Sequence, residues 1–480
     1  MAAWAARNRG RVGLVALIAI LLLGLGLRAD YAWEGRAPVY DAVAYERIAV
    51  NIQDGDGFTL GEDATQPASN YSPGLPLLVG GLYGLSGGEH ERLARLILAL
   101  IGTLAVLFAF LIGRRLSGPA AGLIGAAVVA IYPALLEYQG MLMGEPLAAS
   151  LLSGAVLSML WADDVGRDRL ARGSCRGGPP PCARTPLRGA LRQGGPPPPR
   201  HPRERWLIPG LLLGALVLVR PEYLGISIVL AVVVLARDRS RWRAGVADAA
   251  ILLVGVVLVV APWTMRNAIV LDRFVPVSTG GGQVLFAGSY MPSGGDPERV
   301  GREVLERHPG LTRSLAGTSG AFVPHSDTKA PLPAALEGFR LEQILAALAA
   351  QRYPELESDE ALGRMGRERL WDDISERPVE YAGFVAAKVW RAWGHGPRDV
   401  MQQAGWQVLH LVLIGLGLVG VAVLARRRPW ETLLLATLLV AVTAIVALLV
   451  ASPRRVLVTM PVVAALAGVG VSSLWAAARR

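Results

Sequence analysis

Along this chain apolar residues gather into about ten runs of roughly 15–22 positions, long enough to cross a bilayer core at about 1.5 Å of helix rise per residue. In such surroundings backbone N–H and C=O groups must pair within their own segment, so the runs can only be helices. They fall at 12–29, 92–113, 119–137, 145–162, 206–220, 222–236, 244–263, 406–425, 430–450 and 455–476. The pair around Arg220-Pro221-Glu222 reads in two ways, as two short spans or as one re-entrant hairpin, because Pro221 disfavours helix before it. The expected fold class is therefore an all-α polytopic membrane protein.

Composition agrees. The 480 residues are 52% hydrophobic and only 18% charged, against roughly 25% charged in a soluble domain. The net charge of +10 comes from arginine, and those arginines sit in short loops between apolar runs. That pattern sets orientation and does not suggest a nucleic-acid surface. With the N-terminus inside, the inner loops hold 24 arginines and the short outer loops hold three, Arg220, Arg454 and Arg455. Both termini are thus expected in the cytoplasm. No small-x-small cleavage site follows the first run before Asp30, so that run reads as a retained helix in a multi-pass cell-membrane protein.

The domain organisation follows. Residues 1–263 form an N-terminal membrane module with a first outer loop at 30–91 and an inner loop at 163–205. The inner loop is rich in proline, glycine and arginine, and disorder is expected there. It carries Cys175 and Cys182, which lack the neighbours of a zinc site. Residues 264–405 form an extracytoplasmic segment, loop at its glycine-rich start and helical from about 334 to 393. Residues 406–480 supply the last membrane helices. In the first outer loop, Tyr40 to Asn51 has the spacing of an interfacial helix, and Ser72 to Leu85 reads as a juxtamembrane helix. Gly280-Gly281-Gly282 follows no strand and opens no predicted helix, so a nucleotide loop is not expected.

Ionisable groups near membrane depth are costly and usually have a task. Asp41 follows the first helix, and Glu145 opens a later one, so the topology puts both carboxylates at the outer rim. A carboxylate there can take a proton from an attacking hydroxyl or amine. The three outer arginines break the charge rule, and guanidinium binding of phosphate would explain them.

Several motifs occur in an ordered series: Asp41, Tyr45 and Ala49 as D-x-x-x-Y-x-x-x-A, then SPGLPLL, ERLARLI, GRRLSG, MGEPLA, LVRPEYL, APWTMRN and SPRRVLVTMPVVAALAGVG. The series resembles the bacterial glycosyltransferase family 39 membrane enzymes. These are relatives of the dolichyl-phosphate-mannose protein mannosyltransferases and the lipid A aminoarabinose transferases. The resemblance implies a C-type glycosyltransferase fold and inverting transfer of a sugar from a polyprenyl-phosphate donor. The acceptor would be a protein, lipid or glycan on the extracytoplasmic face. It implies Asp41 as catalytic carboxylate and Glu145 as the second acid. Arg266, Arg454 and Arg455 would bind phosphate by the resemblance, Arg220 by its place in a short outer loop, and Tyr45 and Tyr71 would contact substrate. No cofactor is implied with certainty. A divalent metal stays open, but Ala42 follows Asp41 where the family often has an acidic pair, and Val456 replaces a common aromatic residue. The alternative reading is a transporter or lipid flippase, which would show internal symmetry and a midplane site.

Overall fold

The computed structural model describes all residues except 1, 37–40, 61–65, 175–202, 238–241, 317–340, 397–398 and 480. Its elements are almost all helices. The first half runs α1 (Ala2–Glu34), α2 (Asp41–Asp54), α3 (Gly74–Ser86), α4 (Glu91–Ser117), α5 (Pro119–Ile131), α6 (Pro133–Glu137), α7 (Glu145–Ser174), α8 (Leu207–Val219), α9 (Tyr223–Ala236) and α10 (Trp242–Leu271). Shorter helices follow: α11 (Gly281–Ser289), α12 (Pro297–Arg307), α13 (Pro309–Ala316), α14 (Leu341–Arg352), α15 (Ser358–Glu376), α16 (Pro378–Gly394) and α17 (Asp399–Gln402). The last are α18 (Ala404–Arg427), α19 (Pro429–Leu448), α20 (Pro453–Leu457) and α21 (Met460–Ala478). Among the described residues the one sheet is a short antiparallel pair, β1 (Thr59–Leu60) with β2 (Gln66–Pro67), Thr59 facing Pro67.

Among the described residues seven helices are long and apolar enough to cross a membrane unaided: α1, α4, α7, α10, α18, α19 and α21. The bent α5–α6 stretch makes an eighth if counted as one span. The chain is a multi-pass membrane protein with fewer full-length spans than the ten expected. The difference lies at 206–236, where α8 and α9 have 13 and 14 residues. Such helices measure about 20 Å, short of a roughly 30 Å hydrocarbon core. The turn between them leaves Arg220 extended and at an intermediate exposure.

Packing is tightest around α7 and α21, whose span windows are 72% and 61% buried. Leu152 and Val156 of α7 join Leu216, Val462 and Leu466 in the largest apolar cluster. Glycine permits the close crossings. A Cβ on Gly210 would lie 2.1 Å from the Leu252 carbonyl oxygen, so α8 and α10 meet backbone to backbone.

The α5–α6 bend of 52° has a chemical cause. Pro133 has no N–H for the Val129 carbonyl four residues back. Arg28 of α1, 1% exposed, supplies the missing donor: its guanidinium bonds the carbonyls of Val129 (2.9 Å) and Ala130 (3.1 Å).

Two local expectations change. The charged stretch after 162 does not end the helix, and α7 continues helical to Ser174; residues 175–202 of the expected disordered loop lie outside the described set. The glycine-rich start of the 264–405 segment forms α11, and Gly280 at φ 91° opens it. Glycine is needed there because a Cβ on Gly282 would sit 1.8 Å from the Asp359 carbonyl oxygen of α15. Helices α11 to α15 share their own apolar core, built on Phe286, Tyr290, Val304, Leu345 and Leu362.

Candidate active site

The site grows from helix ends. The start of α2 carries Asp41, the start of α7 carries Glu145, the α8–α9 turn carries Arg220, and α20 carries Arg454 and Arg455. Two of these elements are shaped by proline. Pro221 follows Arg220 at the turn, and Pro453 opens α20 after the break at Leu449–Ser452. Charged side chains from four distant stretches therefore meet at one rim.

Arg454 is the hub. Its Nη1 donates to Asp41 Oδ2 at 3.0 Å, and its Nε donates to Glu145 Oε1 at 2.5 Å. Arg220 Nη2 donates to the same glutamate oxygen at 2.6 Å. The Glu145 side chain is fully buried and its Oε2 has no hydrogen-bond partner among the described residues, whereas the Asp41 side chain is 43% exposed. Exposure thus falls steeply from Asp41 to Glu145. The Arg454 guanidinium also lies 6.0 Å from the Tyr138 ring centre.

Burial opposes the charge on both arginines, but the carboxylates outweigh it. Glu145 and Asp41 hold Arg454 well above the ordinary guanidinium pKa, and Glu145 lifts Arg220 as well. Both stay cationic. Tyr45, one turn along α2 from Asp41, has its ionisation pushed up by burial and by the Asp41 charge, so its hydroxyl stays neutral. Its ring meets Tyr71 edge to face at 5.9 Å.

Arg455 points elsewhere. It lies 3.6 Å from Glu222, bonds the Val450 carbonyl, and is held below the usual guanidinium pKa by burial. Glu222 was not among the sequence candidates, although it directly follows Pro221 in the same turn as Arg220. Arg266 is not among the partners of Asp41 or Glu145. It bonds the Phe58 carbonyl at 3.3 Å and stacks over the Trp263 and Phe58 rings. Neighbours in its motif do similar work: Trp263 and Asn267 both bond the Val277 carbonyl and clamp the chain after α10.

A divalent ion, left open by the sequence, does not fit this donor set as arranged. Asp41 and Glu145 each bind Arg454. Among the described residues no group of three or more His, Cys, Asp or Glu could hold a metal.

No protein-family model and no curated protein matches the sequence. Solved structures do. The oligosaccharyltransferase AglB from the archaeon Archaeoglobus fulgidus, in complex with an inhibitory peptide and a dolichol-phosphate, overlays with a TM-score of 0.53 at 16% identity. The overlay covers 98% of this chain and 51% of that one. The Archaeoglobus fulgidus oligosaccharyltransferase tethered to an acceptor peptide gives 0.52 at 14% identity, covering 98% and 50%. ArnT from Cupriavidus metallidurans bound to undecaprenyl phosphate gives 0.37 at 16% identity, covering 94% and 77%. The chain spans about half the length of the oligosaccharyltransferases it overlays. Agreement along nearly the whole chain at such low identity is agreement of architecture: this protein has the C-type glycosyltransferase fold.

Proposed function

We propose that the protein is an inverting membrane glycosyltransferase that moves a sugar from a polyprenyl-phosphate donor to an acceptor on the extracytoplasmic face. One observation carries the reading: a partly buried guanidinium, Arg454, bridges a half-exposed carboxylate and a fully buried one. The structures that share the fold were solved with dolichol-phosphate and with acceptor peptide, which supports a lipid-phosphate donor.

The two acids then have different tasks. Glu145, shared by two arginines, fixes Arg220 and Arg454 and is poorly placed to take a proton. Asp41 is the base. When the donor phosphate arrives, it competes with Asp41 for Arg454, and the released carboxylate gains basicity. Asp41 accepts the proton of the acceptor O–H or N–H as that atom bonds the anomeric carbon. The bond from the anomeric carbon to the phosphate oxygen breaks, its electron pair stays on the polyprenyl phosphate, and Arg454 and Arg220 stabilise that charge. Attack opposite the leaving group inverts the anomeric centre. Tyr45 and Tyr71 offer edges for the sugar, and Arg455 with Glu222 borders the site. Arg266 serves the fold of the first outer loop in this reading. The 24-to-3 arginine asymmetry supports cytoplasmic termini and an extracytoplasmic site.

The test is to purify the full chain with native lipids and identify any bound polyprenyl-phosphate sugar by mass spectrometry. The lipid is then returned in vesicles with candidate acceptors. Consumption of the lipid-linked sugar with release of polyprenyl phosphate is expected. A bound lipid that crosses the bilayer chemically unchanged would replace the transferase with a flippase.

A further inference from the structure

Helix α16 takes no part in the site, yet its contacts fix its depth. Lys388 Nζ donates to the Ala447 carbonyl at 2.6 Å, one residue before the end of α19, and to the Gly288 carbonyl at 2.7 Å. Further along α16, Trp393 Nε1 donates to Thr443 Oγ1 at 3.1 Å. Five residues forward on α16 correspond to four residues back on α19, so the two helices lie side by side and antiparallel. A ring nitrogen of His410, Nε2, bonds the Trp393 carbonyl at 2.7 Å, and His410 lies six residues inside α18. At about 1.5 Å per residue, Thr443 and His410 are each about 8–9 Å inside the ends of their spans. The C-terminal half of α16 therefore descends below the rim that carries Asp41.

The face of α16 turned away from these contacts is apolar. Val379 and Trp390 are 83% and 56% exposed. Ala382, Gly383, Ala386 and Ala387 are exposed between them, at helical spacing. Beyond Glu380 the charges point elsewhere: Lys388 is buried, and Arg391 approaches Asp296 at 3.9 Å. An uncharged stripe at this depth, alongside two spans, has one medium available to cover it.

We propose that α16 is inserted obliquely into the leaflet on the Asp41 side. Ala386, Ala387 and Trp390 lie against acyl chains, and Val379 lies about 13 Å higher by helix rise, among headgroups. The 264–405 segment is then partly a membrane element, which its sequence did not announce. Trp390 sits where indole rings favour the apolar boundary.

Single cysteines test this in full-length protein whose Cys175 and Cys182 are replaced by serine. Nitroxide labels at Val379→Cys, Ala386→Cys and Trp390→Cys are read in phosphatidylcholine liposomes by collision with oxygen and with a water-soluble nickel chelate. Val257→Cys on α10, 59% exposed, calibrates lipid contact. Ala387→Cys repeats the deep position in a variant that keeps the tryptophan. The oxygen-to-nickel ratio is expected to rise several-fold from residue 379 through 386 to 387 and 390, reaching the value at 257. Equal nickel access at 379, 387 and 390 would mark a face that awaits a soluble protein and would overturn the proposal. Spin–spin broadening at 387 and 390, the sign of a second copy on the stripe, would also overturn it.

Discussion

Glu145 and Glu431 are both fully buried and each meets two arginines, yet they lie at opposite rims of the bundle and end differently. Glu431 faces Arg115 at 3.7 Å and Arg428 at 3.3 Å. Arg115 also donates to the Leu160 carbonyl, so the cluster ties α4, α7 and α19 together. Nearby, Arg237 approaches Asp163 at 3.4 Å and Asp248 at 3.2 Å. At this rim the charges join helix to helix. At the other rim Arg454 extends past Glu145 to Asp41, whose side chain is 43% exposed. The same chemistry is closed off at one end of the bundle and ends on a half-exposed carboxylate at the other.

The largest effect is expected from Asp41→Asn. Sugar transfer by the purified protein should fall about 10²–10⁴-fold, with the unfolding temperature in detergent unchanged because the carboxylate is half exposed. Transfer within tenfold of the parent would remove Asp41 as the base and erase the contrast between the rims. Next come Glu145→Gln and Glu431→Gln as a pair. Each strips a buried charge from its arginines and should cost about 3–5 kcal/mol of stability. Per folded molecule, Glu145→Gln should be inactive and Glu431→Gln fully active. Equal inactivity would show that the opposite rim also governs turnover.

Arg28→Met should cost less. It leaves the Val129 and Ala130 carbonyls without their donor, at about 1–3 kcal/mol each, read as a lower unfolding temperature. Arg266→Lys should have the smallest effect. It keeps the charge and loses the stack on Trp263, at about 0.5–1 kcal/mol, with the KM for donor unchanged. A large rise in that KM would return Arg266 to phosphate binding.

Much of the bundle is written in runs of apolar residues, because bilayer thickness leaves a helix little choice of length. Asp41, Glu145 and Arg454 were legible for a related reason: charges are expensive at a rim, and three arginines there broke the orientation rule. Contacts that depend on folding back were not legible. Arg266 meets Phe58, 208 residues earlier, through a loop whose path no local pattern encodes. The glycines at 280–282 look like loop in isolation, and only the approach of α15 explains them. Charges after residue 162 suggested a loop, but helix-forming residues carry α7 onward. The α8 and α9 runs are apolar enough to suggest spans, yet the break at Pro221 leaves each too short for a full crossing.

The bend between α5 and α6 couples two distant positions. Restoring an amide by Pro133→Ala would let the chain satisfy the Val129 carbonyl itself, leaving the Arg28 guanidinium in an apolar setting with one acceptor fewer. Removing Arg28 alone strands the carbonyls. Proline and arginine, about a hundred residues apart, are thus a lock and its key, and a straightened version of this region would have to discard both at once.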